Sequence, residues 1–263
     1  MTERLLSLAA GTVLDVDPAG TIQVAAEAGF GGVGLWFDAA SWTPATTAAV
    51  AVRLADTGVT PLDIEPVILG RDHDPGDAIV DTAAELGVRH VLVASGRMER
   101  AAVVERFGEL CERAAPSGVV VVLEFLPIFS IGCLADAVGV VEEVAHPSGA
   151  VLVDTLHLAR SGAGPDDLRT VPRKLLPYVQ LADAPAEPPA LSRDALREEA
   201  LHGRLLPGEG QLPLRATLAA VPDVPLSIEL RSQPLMSAYP DPVERARVVL
   251  DATERLLARE ESS

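Results

Sequence analysis

Short apolar runs alternate with alanine-rich segments of helical character along most of the chain. The runs are rich in valine, leucine and isoleucine, and they recur at intervals of roughly 30 residues, the length of a βα unit. Parallel strands that are covered by helices are buried on both faces, so their sequences are nearly continuous hydrophobic runs. The repetition therefore predicts a parallel sheet whose strands alternate with helices.

Eight strands are expected on this basis, at residues 5–9, 32–37, 60–65, 90–95, 119–125, 150–154, 178–181 and 226–230. Helices are predicted between them at 21–28, 44–57, 77–86, 99–114, 134–144, 212–220 and 242–258. Glycine follows two of these helices in Ala28-Gly29 and Leu86-Gly87, which is typical of helix C-terminal caps. The pattern predicts an α/β protein, a single (β/α)8 TIM barrel that spans residues 1–263 as one domain.

The longest break in this rhythm is the segment 183–211, which follows the seventh predicted strand and is rich in proline, glutamate and arginine. Connections of this length in compact domains are usually functional or disordered. We expect a long loop that lies over the C-terminal face of the barrel.

The charge and cysteine content exclude several classes of function. The 38 acidic and 21 basic residues give a net charge of −17, which repels nucleic acid phosphates and anionic membrane surfaces. Cys111 and Cys133 lack CxxC spacing, the N-terminus does not resemble a secretion signal, and no apolar run is long enough for a membrane helix. Lys174, the only lysine, precedes a strand, which argues against Schiff-base chemistry. We expect a soluble, cytoplasmic protein with a small-molecule partner.

Oxygen-bearing side chains mark the ends of four consecutive predicted strands. "VVVVLEF" carries Glu124, "AVLVD" ends on Asp154, "YVQLADAP" carries Gln180 and "PLSIEL" carries Glu229. Active sites of such barrels lie at the C-terminal strand ends, and hard oxygen ligands suit Mg²⁺ or Mn²⁺. These four residues are predicted to bind one divalent metal ion, since their charges would otherwise repel one another. The structural alternative is that these carboxylates cap helices and accept hydrogen bonds from backbone amides.

Two further residues are candidates for the same pocket. His157 follows Asp154 by three residues and is predicted to point toward the barrel mouth, where it can bind a substrate oxygen or move a proton. Glu65 ends the third predicted strand, and either a pocket-lining or a structural role is open.

Cationic and backbone groups offer candidate anion sites. Arg204, Arg97 and Arg231 are candidate substrate-binding clamps for a carboxylate or a phosphate, and Arg204 is the first candidate because the long loop around it can close over the pocket. The "PGEG" sequence at 207–210 precedes a helix, where backbone amides can bind an anion, and an ordinary turn is equally compatible.

The series "LEF", "VDTLHLARSG", "VQLADAP", "PGEG" and "SIEL" resembles the xylose isomerase-like barrel superfamily, which includes sugar phosphate isomerases and epimerases. Residues 119–230 carry this resemblance, and the first half of the chain shares only the repeat rhythm. The family pattern of Glu, Asp, His and Glu as metal ligands maps onto Glu124, Asp154, Gln180 and Glu229. Glutamine replaces the histidine of many members, and its context is similar to bacterial dehydratases that convert 3-dehydroshikimate to protocatechuate. The histidine-rich multi-zinc site of the apurinic-site endonuclease branch is missing from the sequence.

The resemblance implies proton abstraction beside a carbonyl, with an enolate stabilised by Mn²⁺ or Mg²⁺. Glu124 and Glu229 are expected to be ligands that also act as acid and base, and His157 is expected to bind substrate or act as the base. The resemblance implies that the substrate is a keto-polyol. An isomerase or epimerase, a dehydratase and a non-catalytic sugar-binding barrel remain open, as does a homo-oligomer.

Overall fold

Eight parallel strands close into a barrel in the order in which they occur in the chain. The computed structural model describes residues 4–71 and 73–258. The predicted (β/α)8 TIM barrel is confirmed. Its strands are β1 (Leu6–Leu8), β2 (Gly32–Trp36), β3 (Thr60–Ile68), β4 (His90–Ala94), β5 (Val120–Glu124), β6 (Gly149–Asp154), β7 (Val179–Leu181) and β8 (Leu226–Ile228).

Helices connect the strands on the outside of the barrel. The described residues contain α1 (Pro18–Ala28), α2 (Pro44–Thr57), α3 (Gly76–Leu86), α4 (Arg100–Ala114), α5 (Leu134–Val144), α6 (Thr155–Arg160), α7 (Pro165–Leu168), α8 (Arg193–His202), α9 (Leu214–Ala220), α10 (Gln233–Ala238) and α11 (Pro242–Ala258). None of the described helices is long and apolar enough to cross a membrane.

Local sequence signals determine where several helices begin and end. The Asp17 carboxylate accepts a hydrogen bond of 2.7 Å from the Gly20 amide at the start of α1. Gly29 and Gly87 end α1 and α3 with φ values of 99° and 67°, a left-handed conformation in which glycine carries no steric penalty. Both glycine caps therefore act as the sequence predicts.

The predicted helices are all present, but four others were missed. Helices α6, α7 and α10 have six, four and six residues, too few for a clear helical period. Helix α8 has ten residues and a polar surface, and its start is capped by Ser192, whose hydroxyl accepts a 3.2 Å hydrogen bond from the Ala195 amide. The segment 183–211 therefore contains a helix and is not the continuous loop that was expected.

The barrel interior has an apolar part and a polar part. Strands β4, β5 and β6 contribute Leu92, Val122 and Leu152, which are buried in one hydrophobic cluster with Tyr178. On the other strands the buried residues include Ser7, Asp63 and Ser227. Polar groups consequently continue from the mouth of the barrel into its core.

Candidate active site

A cavity of about 540 Å³ lies at the C-terminal end of the barrel, where the functional site was predicted. Its floor is formed by side chains from strand ends, and its walls come from α8 and from the loops after β3, β4, β5 and β8. The predicted site residues that line it are Glu65, Arg97, Glu124, His157, Gln180, Arg204, Glu229 and Arg231.

Glu124, Asp154 and His157 form a compact group beside this cavity. Their potential metal-binding atoms all lie within 4.8 Å of one another, and all three residues are buried. Glu124 is the last residue of β5, Asp154 is the last of β6, and His157 lies in the first turn of α6. Two carboxylates and an imidazole are a ligand set that can hold a divalent metal ion.

Burial favours the neutral form of the His157 imidazole. Its Nε2 atom lies 3.9 Å from Oε1 of Glu124. Burial lowers the pKa of His157 to about 4, and the nearby Arg204 charge acts in the same direction. Burial raises the pKa of Glu124 well above its usual range, and the charge of Asp154 adds to this shift. The pair thus offers one nitrogen that accepts a proton and one carboxyl that holds a proton readily.

Asp154 has partners of its own in the chain. Its Oδ1 atom accepts hydrogen bonds from the amides of Leu156 at 2.7 Å and His157 at 3.1 Å, so it caps α6. Its Oδ2 atom accepts a hydrogen bond of 2.6 Å from Nη1 of Arg204. Burial alone would raise the pKa of Asp154, but the Arg204 guanidinium holds it below its usual value. The helix-capping role that the sequence left open is therefore present, and it coexists with the predicted place in the site.

Arg204 is a buried counter-ion of the site. Besides Asp154, its guanidinium contacts Glu229 through Nη2 and Oε2 at 3.1 Å, and its Nε donates to the Ala200 carbonyl at 3.0 Å. Burial raises the pKa of Glu229, while the positive charge of Arg204 opposes the rise. Because two carboxylates of the chain already engage this guanidinium, the geometry favours a counter-ion role, and its role as a substrate clamp stays a prediction.

Gln180 and Glu65 face each other across the floor. Nε2 of Gln180 donates to Oε2 of Glu65 at 3.4 Å, and the remaining side-chain oxygen of each is buried without a hydrogen-bond partner among the described residues. Burial and the Glu229 charge raise the pKa of Glu65 well above its usual range. The carboxamide oxygen of Gln180 is consequently available to a ligand, and its role as a metal-binding residue stays a prediction.

The "PGEG" turn does not offer its amides to a ligand. The carboxylate of Asp183 accepts hydrogen bonds from the amides of Gly208 at 3.0 Å, Gly210 at 2.9 Å and Leu212 at 3.1 Å. The expected anion at this turn is thus a side chain of the protein. A Cβ atom at Gly210 would collide with this carboxylate, so glycine is needed for the close approach. The turn is a structural junction that fixes the segment after α8.

Several residues that line the cavity were not predicted from the sequence. Trp36 shares a wall with Arg231, whose guanidinium carbon lies 5.7 Å from the centre of the Trp36 ring. Arg193 and Arg197 are four residues apart on α8, and recognising Ser192 as a helix cap would have placed them on one face. The overlooked arginines of the pocket are Arg71, Arg193 and Arg197.

A second polar group lies below the floor and was also missed. The hydroxyl of Tyr178 donates to Oδ2 of Asp63 at 3.1 Å, and both residues are fully buried. Gly34 makes room for this carboxylate, since a Cβ there would lie 2.7 Å from Oδ1 of Asp63. Because Asp63 lies within an apolar strand, only its burial distinguishes it from an ordinary surface aspartate.

Asp63 is expected to make stability fall as pH rises. Burial raises its pKa to about 7, and the Glu229 charge contributes, whereas the unfolded value is about 4. Between these values the folded state binds more protons than the unfolded state, so the free energy of unfolding decreases by up to about 1.4 kcal/mol per pH unit. Denaturant unfolding between these pH values should show that Asp63→Asn removes this contribution. The exposed control Asp56→Asn should retain it, and equal pH slopes for wild type and Asp63→Asn would contradict the assignment.

A family model described as xylose isomerase-like TIM barrel matches residues 22–255. The chain belongs to this family. Among curated proteins, the chain is similar to the 3-dehydroshikimate dehydratase of Pseudomonas putida, at 26% identity over 80% of this chain and 35% of the relative. It is also similar to the 3-dehydroshikimate dehydratase of Pseudomonas aeruginosa, at 27% identity over 76% of this chain and 33% of the relative. The chain thus spans about a third of the length of these relatives.

Two solved structures show the same fold. The structure of the IOLI protein with a bound zinc atom is 17% identical to this chain and has a TM-score of 0.80. The match covers 97% of this chain and 98% of the other. The D-allulose 3-epimerase from Methylomonas sp. is 18% identical with a TM-score of 0.69, over 97% of this chain and 98% of the other. Both likenesses show the fold, and within it the Glu124, Asp154 and His157 group of this chain can hold a divalent metal ion.

Proposed function

We propose that this protein is a divalent-metal-dependent enzyme that removes a proton beside the carbonyl of a polyhydroxylated keto compound. The observation that carries the proposal is the buried group of Glu124, Asp154 and His157 at a barrel-end cavity. A pure sugar-binding barrel would not need to bury these ionisable groups together, because each buried charge costs several kcal/mol without a partner. The non-catalytic reading is therefore the weakest of the three.

The residues present fit a divalent cation. Glu124, Asp154 and Glu229 carry three negative charges when ionised, and Arg204 supplies one positive charge. A divalent ion would balance the remainder, with His157 and the unpartnered Oε1 of Gln180 as neutral donors. Mostly oxygen donors favour Mn²⁺ or Mg²⁺. When bound, the ion would act as a Lewis acid on the substrate carbonyl.

The side chains of the site supply the proton transfers. Neutral His157 can bind a substrate oxygen or accept a proton, and Glu124 and Glu229 are candidates for proton exchange because burial raises the pKa of both carboxyls. Return of the proton to the opposite face gives epimerisation, and transfer to the neighbouring carbon gives isomerisation. We favour an isomerase or epimerase as the broad assignment.

A dehydratase is the second candidate. It is favoured by the similarity to two 3-dehydroshikimate dehydratases, although the chain covers about a third of each. Loss of a β-hydroxyl needs a proton donor, and the raised pKa of Glu124 suits that role. The same first proton abstraction serves both candidates, so the substrate decides between them.

The proposal is tested with Mn²⁺ in D₂O. We expect deuterium beside the carbonyl, or a dehydrated product with an ultraviolet chromophore, when the protein is incubated with 3-dehydroshikimate, an inosose and a panel of small ketoses. Turnover of only neutral ketoses would eliminate the dehydratase, and no exchange with any of them would remove the enolising function.

Metal binding is tested separately by titration with Mn²⁺. Glu124→Gln removes a negative donor but keeps the shape of the side chain, and we expect the affinity to fall by at least about 10- to 100-fold. Glu143→Gln, which changes an exposed glutamate on α5, is the control that should bind as wild type does. Equal affinities for wild type and Glu124→Gln would exclude this residue as a ligand.

A further inference from the structure

The arginines of this chain differ in whether their side chains have a partner. Away from the cavity, six described arginines are tied to a carboxylate, in the ion pairs Arg100–Glu143, Arg106–Asp74, Arg113–Asp81, Arg160–Glu199, Arg169–Asp166 and Arg245–Asp15. At the cavity mouth, the side chains of Arg97, Arg197 and Arg231 make no hydrogen bond or ion pair with any described residue. Acidic residues outnumber basic ones by 38 to 21, so this lack of partners is not a shortage of carboxylates.

These three arginines come from separate parts of the fold and converge on one opening. Arg97 follows β4, Arg231 follows β8, and Arg197 lies on α8 with Arg193 one turn before it. Arg193 donates to the Ile128 carbonyl at 3.2 Å, which fixes this turn of α8 against the loop after β5. We call Arg97, Arg197 and Arg231 the arginine rim.

The rim and the floor of the cavity have opposite charges. The floor carries Glu65, Glu124 and Glu229, and its compensating guanidinium is Arg204. The charge of Arg231 interacts with those of Glu65 and Glu229, but none of the rim guanidinium groups forms an ion pair with a described carboxylate. Arg231 is half-buried against Trp36, where water screens its charge less than at the open surface. A ligand with an anionic group at one end and hydroxyl or carbonyl oxygens at the other matches both regions.

We propose that the substrate of this site is an anion whose carboxylate or phosphate group is held by the arginine rim while its keto-polyol end reaches the floor. This inference rests on the proposed function for the reacting end, but the rim itself needs neither turnover nor a metal. Guanidinium groups bind both anions through charge-assisted, often bidentate hydrogen bonds. The rim also places local positive charge on a chain with net charge −17, which would otherwise repel such a ligand.

Binding of three probes with one carbon skeleton tests the proposal. Glycerate carries a carboxylate, glycerol 3-phosphate carries a phosphate, and glycerol is neutral. In titration calorimetry at low salt, with and without Mn²⁺, at least one anion should bind about 10-fold or more tightly than glycerol. The stronger anion identifies the group that the rim prefers, and its affinity should fall as salt increases.

Single substitutions assign the binding to the rim. Arg97→Gln, Arg197→Gln and Arg231→Gln should each weaken binding of the preferred anion by about 10-fold. Arg89→Gln is the control, because Arg89 is exposed, precedes β4 at the opposite end of the barrel and has a side chain that forms no ion pair or hydrogen bond with a described residue. Equal binding of glycerol and both anions, or equal anion affinities for wild type and all rim variants, would overturn the proposal.

Failure of the rim and failure of the proposed function give different results. If neutral ketoses exchange deuterium and the rim variants retain the wild-type kcat/KM, the enolising function stands and the anionic substrate is wrong. If anion binding depends on the rim but no candidate substrate exchanges deuterium, the anion site stands and the proposed reaction is wrong.

Discussion

Arg204→Met is expected to lower the free energy of unfolding by about 3–5 kcal/mol when no divalent metal is added. Methionine keeps most of the side-chain volume but leaves Asp154 and Glu229 without the guanidinium that contacts both. The side chains of Arg204 and Asp154 are 3% and 0% exposed, so water cannot replace the lost ion pair. Urea unfolding of the wild type and the variant measures the difference.

Two controls test whether the loss of stability comes from the burial of the ion pair. Arg100→Met breaks an exposed ion pair with Glu143 and should cost less than about 1 kcal/mol. Adding Asp154→Asn to Arg204→Met removes one uncompensated charge and should recover part of the loss. If Arg204→Met were as mild as Arg100→Met, the guanidinium would not be the counter-ion that the distances indicate.

His157→Gln is expected to slow deuterium exchange of the substrate by a factor of about 10² to 10⁴. Glutamine can still form hydrogen bonds, but it cannot accept a proton as the neutral imidazole does. His202→Gln is the matched control, because His202 is half exposed at the end of α8 and lies outside the cavity lining. A wild-type exchange rate in His157→Gln would remove His157 from the mechanism.

Mn²⁺ titration of the same variant separates two roles for His157. As a substrate-binding residue or base, its loss should leave the metal affinity near the wild-type value while exchange slows. As a ligand, which its position beside Glu124 and Asp154 allows, its loss should weaken metal binding as well. Either outcome keeps His157 in the site, but they place it in different roles.

The barrel could be predicted from the sequence because its strands are buried on both faces. Such strands appear as short runs of branched apolar residues, and "VVVVLEF" needs no knowledge of distant contacts to be recognised. Helix α8 was missed because its residues are mostly polar, and its start depends on the capping hydroxyl of Ser192. A polar helix at a pocket mouth lacks the apolar period on which prediction relies.

The part of the site that lies at strand ends could be predicted, because the ends of parallel strands converge at one end of a barrel. Glu124, Gln180 and Glu229 line one cavity because they lie at or next to the C-terminal ends of β5, β7 and β8 in the same parallel barrel. The partner of Asp154 was not predictable in this way, since Arg204 is 50 residues later and reaches the carboxylate only after α8 has been placed. The Asp183 junction likewise depends on a turn 25 to 29 residues away.

The two ends of helix α8 make different contacts. Its first turns carry Arg193 and Arg197 at the cavity mouth, whereas Glu199, near its end, is buried in a bidentate ion pair with Arg160 at 2.7 and 2.8 Å. Changes at Arg197, whose side chain has no partner among the described residues, should therefore alter which compounds enter without unfolding the segment. This position is suited to evolving or engineering new selectivity, because its side chain lines the cavity and does not anchor the helix.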